Sequence, residues 1–139
     1  MSLLVMKFGG TSVANVDRIK RAAKRVALEV AHGKNVIVIV SAMSGKTNEL
    51  ADWVNDTSQF YDAREYDAVV SSGENVTAGL MALTVQEMDI PARSWQGWQV
   101  PGRAPPSGLP TVFQAGFPAR AAFRPSCRPR PAPRRCGRY

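Results

Sequence analysis

At 139 residues, with a formal net charge of +7, the chain has the size of one domain and a charge that, taken whole, suits a nucleic-acid or anionic-surface partner. The distribution removes that reading for most of it: residues 1–100 hold ten basic and eleven acidic residues, whereas residues 101–139 hold eight arginines and no acid. Both cysteines, Cys127 and Cys136, lie in the basic tail at a spacing that fits neither a C-x-x-C redox pair nor a usual zinc pair, so the body has no thiol nucleophile and no disulfide.

Leu3 to Phe8 is a short apolar run ending at Gly9-Gly10, which predicts a buried strand of the kind found in parallel sheets. Thr11 or Ser12 is placed to cap a following helix. In that helix Val13, Val16, Ile19, Ala23, Val26, Ala27 and Val30 share one face. Asp17 suits its first turn and is spaced to pair with Arg21, and Gly33 suits its end. Asn35 to Ser41 is β-branched through its apolar core and predicts a second buried strand. Strand, long helix, strand reads as a right-handed crossover between parallel strands.

The loop 42–45 then leads to a short helix over 46–55. A helix over 66–71 and another over 74–88 follow, and a third strand starts at Ala92 after Pro91. This order predicts an α/β fold with a mostly parallel sheet, incomplete at three strands and with an uncovered edge. Val36–Val40, the longest aliphatic run, is too short to span a bilayer, and the N-terminus lacks the pattern of a signal peptide. The body is therefore expected to be cytoplasmic.

Composition changes abruptly near residue 101. Residues 101–139 carry nine of the ten prolines and keep no apolar period, so they are expected to be disordered. One reading is a basic arm that binds nucleic acid through its charge. The preferred one is an out-of-frame reading of a GC-rich message, because lysine is absent and no repeat is present. Resequencing the coding DNA around codon 101 separates them.

Three stretches carry chemistry. Lys7-Phe8-Gly9-Gly10-Thr11-Ser12 lies where a strand ends and a helix begins, the edge at which open α/β sheets bind ligands. Two glycines admit backbone N–H groups to an anion and Lys7 adds a full charge, a combination suited to a nucleoside triphosphate. The plainer alternative is a tight turn with a solvated lysine. Ser41-Ala42-Met43-Ser44-Gly45-Lys46-Thr47 ends like a P-loop, but Val40 stands where that motif needs its first glycine, so it is not one. Ser41 and Thr47 suit a small polar substrate, or simply cap the next helix. Ser72-Gly73-Glu74 offers a carboxylate that either complements a helix start or holds a substrate ammonium group. Asp62, Glu65 and Asp67 read as a solvated face, His32 as an exposed helix end, and Trp95-Gln96-Gly97-Trp98 as packing. No metal-ligand cluster or nucleophilic triad is visible.

Taken together and in order, these stretches resemble bacterial aspartokinases over about residues 3–100. The matching segments are Val5–Val13, Val40–Asn48, Asp62–Asp67, Ser72–Glu74 and Ala92–Trp98. The resemblance implies the three-layer α/β/α sandwich of the carbamate-kinase-like, amino-acid-kinase type. It implies ATP-dependent phosphorylation of the L-aspartate β-carboxylate to 4-phospho-L-aspartate, the first step toward lysine, threonine, methionine and diaminopimelate. It places Lys7 at the phosphates and in catalysis, with Phe8, Gly9, Gly10, Thr11 and Ser12 beside the nucleotide. Ser41, Thr47 and Glu74 fall at aspartate, with Mg²⁺ accompanying the ATP and no protein metal site. L-aspartate and ATP are the implied partners, with no nucleic acid or membrane, in a family that is oligomeric. The family's domain is more than twice this long. An inactive fragment, another amino-acid-kinase relative and a basic-tailed nucleic-acid binder are the competing readings.

Overall fold

The computed structural model describes residues 2–96, Gln99 and 112–115. Strand β1 (Leu3–Phe8) is followed by a short 3-10 turn at Gly10–Val13, helix α1 (Val16–Ala31), strand β2 (Asn35–Val40), helices α2 (Lys46–Thr57) and α3 (Ala63–Gln86), and strands β3 (Ala92–Trp95) and β4 (Val112–Ala115). The sheet order is β1-β2-β4-β3.

β1 and β2 are parallel, with Leu4 beside Val36 and Phe8 beside Val40, as two β-branched and aliphatic runs joined by a long helix predict. The remaining pairs correct the expectation of a mostly parallel, three-stranded sheet. β4 runs antiparallel to both β2 and β3 and lies between them. A four-residue strand leaves no readable period among prolines and arginines, so it was invisible in sequence. The predicted disorder of the rest of the tail, like the packing predicted for Gly97 and Trp98, lies outside the described residues.

The core forms on one face of the sheet. Val36, Val38 and Val40 alternate inward from β2. They meet Ile19, Ala22, Ala23 and Val26 of α1 and Ala78, Met81, Ala82 and Val85 of α3, all buried. On the opposite face Leu3 and Val5 are 62% and 55% exposed, so among the described residues helices cover one face and the second helical layer of a three-layer sandwich is not among them. No helix among the described residues is long and apolar enough to cross a membrane.

Several local expectations change. Neither Thr11 nor Ser12 caps α1; the chain makes a 3-10 turn there, and Asn15, in extended conformation, caps the helix by accepting from Arg18 N–H at 2.9 Å. Val16 therefore falls outside the buried face and is half exposed. Asn15→Ala removes that bond and is expected to lower stability by about 1 kcal/mol, read from urea unfolding. Asp17 and Arg21 do not pair; the ion pairs among the described residues are Lys34–Glu29 and Lys46–Glu49. Both Asp17 and Arg21 are exposed, where a pair gains little over hydration. Hydrogen bonding from Lys34 holds the Glu29 carboxyl below its usual range.

The two helices expected over 66–71 and 74–88 are one helix of 24 residues, capped by Asp62. Gly73 lies inside it rather than between helices, for a packing reason given below. At its far end Gln86 donates to the Ala92 carbonyl at 2.7 Å and ties α3 to β3.

Candidate active site

The C-terminal ends of β1 and β2 are held together by backbone. Ser41 N–H donates to the Phe8 carbonyl at 3.2 Å, so the loop leaving β2 starts beside the loop leaving β1. The contact then tightens. A Cβ on Gly10 would sit 2.8 Å from the Ala42 carbonyl oxygen, so only glycine fits there without movement. Around Gly9 a Cβ would meet nothing within 4 Å, which leaves that side of the loop open to an approaching group. Lys7 is exposed and faces opposite to Phe8 on β1, one residue before the strand ends.

The third stretch joins at the same point. A Cβ on Gly73 would lie 3.2 Å from both Ala42 Cβ and Leu50 Cδ1. Helix α3 therefore crosses the 41–45 loop and the start of α2 at its glycine, and this close approach keeps Gly73 in mid-helix despite its low propensity. Glu74, the next residue, is half-buried. It cannot act as a helix-start residue, since α3 began eleven residues earlier. That alternative for Glu74 is removed. So is simple capping by Ser41 or Thr47: α2 is capped by Gly45, in left-handed conformation at φ 83, with no side-chain cap bond, and Thr47 is already inside the helix and exposed.

All three stretches thus meet around Ala42, a buried residue whose part the sequence did not disclose. Its signal was weak: one small residue between a strand and a glycine-containing turn. Two other roles were missed. Arg18 Nη1 donates to the Thr11 carbonyl at 2.7 Å and ties α1 to the glycine loop. Lys46 donates to Glu49 at 2.5 Å and lies 5.9 Å from the Trp53 ring, so its charge is already engaged. Asp62, Glu65 and Asp67 are exposed, and no group of three or more metal-ligating side chains is found among the described residues.

A family model described as the amino acid kinase family matches residues 2–103. The chain belongs to the amino acid kinase family. Within it the chain is 51% identical over 104 residues to the aspartokinase of Rickettsia felis, covering 73% of this chain and 26% of that relative. It is 45% identical over 100 residues to an aspartate kinase of Stutzerimonas stutzeri, covering 72% and 24%. A crystal structure of aspartate kinase from Synechocystis superposes with a TM-score of 0.60 at 40% identity, over 64% of this chain and 15% of that chain. The resemblance drawn from five short motifs therefore holds, and the fold is an incomplete α/β amino-acid-kinase fold. The chain spans about a quarter of the length of the curated relatives it matches.

Proposed function

We propose that the chain carries the phosphate-handling and substrate-handling corner of an aspartate kinase, which phosphorylates the L-aspartate β-carboxylate with ATP in the cytoplasm. The observation that carries this reading is the meeting of Gly10, Ala42 and Gly73 at one sheet edge. It supports assembly of a phosphate loop, a hydroxyl-bearing loop and a carboxylate from three separate stretches.

Lys7, with Phe8, Gly9, Gly10, Thr11 and Ser12, takes the nucleotide phosphates; the Lys7 ammonium neutralises charge on the transferring group. Ser41 and Thr47 donate to aspartate, and Glu74 accepts from its ammonium group. The aspartate β-carboxylate is itself the nucleophile, so positioning replaces a general base. The donor set fits a metal carried in by the nucleotide: without a carboxylate cluster among the described residues, Mg²⁺ would be held by the phosphates and would neutralise their charge.

The test is an aspartyl-hydroxamate assay on the purified chain with ATP, Mg²⁺ and L-aspartate. Hydroxamate above a no-enzyme blank supports the reading, and its absence favours an inactive fragment. In an active chain Glu74→Gln should raise KM for aspartate about tenfold with a smaller change in kcat, as loss of a charged hydrogen bond implies. An unchanged KM removes Glu74 from substrate binding. The family match ends at residue 103, close to the composition break, which supports reading 101–139 as foreign to the family. Product flux toward lysine, threonine and diaminopimelate belongs to the same proposal.

A further inference from the structure

Beside the glycine loop, on the α1 side, lies an open cleft of about 320 Å³ lined by Phe8, Ser12, Arg18, Arg21, Ala22 and Arg25. Its three arginines stand at i, i+3 and i+7, so they form one stripe along the helix, spanning roughly 10 Å at 1.5 Å per residue. Among the described residues no carboxylate lines it. Arg21 and Arg25 make no ion pair among the described residues; Glu29, the nearest acid further along α1, is hydrogen-bonded by Lys34 and feels Arg25 only as a weaker attraction. Arg18 is held in place by its bond to the Thr11 carbonyl. Three guanidinium groups beside a concave wall, one of them already fixed, are not what solvation of a helix face requires.

We propose that this cleft is a binding site for a linear oligophosphate, centred on the arginines of α1 and adjoining the nucleotide loop, whose Phe8 and Ser12 form its near wall. The guanidinium forks match phosphate oxygens in geometry, and three of them along one stripe can engage several linked phosphates at once. A single orthophosphate can engage only part of the stripe and binds more weakly. A bound oligophosphate would lie against Ser12, at the end of the loop that the proposed function assigns to ATP. The proposal rests on the arginines of α1, which that assignment does not use, while Phe8 and Ser12 are shared between cleft and loop.

The experiment is calorimetric titration of inorganic tripolyphosphate into the full chain carrying Lys7→Ala, which weakens the loop as a competing phosphate site. One tripolyphosphate per chain is expected, with orthophosphate at least about tenfold weaker. Adding Arg21→Glu and Arg25→Glu should lower tripolyphosphate affinity at least about thirtyfold. Adding Lys20→Glu and Lys24→Glu makes the same change of charge on the same helix but outside the cleft, and should lower it no more than about threefold. Arg21→Gln with Arg25→Gln, which adds no new charge, should fall between these two. Equal losses from the arginine and lysine pairs would reduce the cleft to a generally basic helix and overturn the proposal. So would unaltered affinity in the arginine variants, or no binding to the Lys7→Ala chain at low salt. Circular dichroism on each variant establishes that α1 is intact.

Discussion

Lys7→Ala is expected to lower turnover in the hydroxamate assay by at least about a hundredfold. The figure corresponds to ~3 kcal/mol of charge stabilisation lost from the transition state. The substitution is a clean one structurally. Lys7 is exposed on the face of β1 that the helices leave uncovered, and it makes no ion pair among the described residues. Removing its side chain should leave stability within about 0.5 kcal/mol, as for other surface changes away from special features. Loss of activity without loss of stability would therefore report chemistry and not folding. Lys7→Arg keeps the charge but spreads it over a planar fork and should recover only part of the rate. A second readout does not depend on turnover: ATP affinity should fall about tenfold in the alanine variant. Turnover and ATP affinity both unchanged would remove Lys7 from the mechanism, and the glycine loop would then have to act through backbone alone.

What could be read in the sequence was set by how local each signal was. β1 and β2 were legible because two dense apolar runs each end at a turn, and their pairing followed from the helix between them. The buried face of α1 was legible at Ile19, Ala23 and Val26, where the 3.6-residue period is strong. Its start was not, because a 3-10 turn over Gly10–Val13 and a cap at Asn15 compete with an equally plausible cap at Thr11 or Ser12. The interruption expected near Ser72-Gly73 was a sound inference from propensity. It failed because Gly73 is needed for the close approach of Ala42 and Leu50, residues distant in sequence. β4 was missed for a similar reason: its partners supply the pattern that four residues cannot. The candidate site followed the same division. Lys7, the glycine pair and Glu74 could be named from motif and resemblance. That their stretches meet at Ala42 could be learned only from the fold.

Gly10→Ala is the sharpest test of that meeting point. The added methyl would lie 2.8 Å from the Ala42 carbonyl oxygen, a backbone atom that no rotamer change can clear. The glycine loop or the 41–45 loop must move, with an expected stability loss of about 1–3 kcal/mol by analogy with overpacked cores. In an active chain the same movement separates phosphate and substrate groups, and a shift of about 1 Å can lower kcat/KM about a hundredfold. Gly9→Ala is the matched control. Its backbone, at φ −73 and ψ 166, is one that alanine adopts freely, and its Cβ would meet nothing within 4 Å. Unfolding by urea should therefore distinguish the two neighbours, with Gly9→Ala close to the parent and Gly10→Ala clearly weaker. Activity should distinguish them less, because a methyl at Gly9 faces the open side of the loop, where an anion would approach. If Gly10→Ala is as stable as Gly9→Ala, the two loops do not touch in solution, and the convergence at Ala42 cannot be what assembles the site.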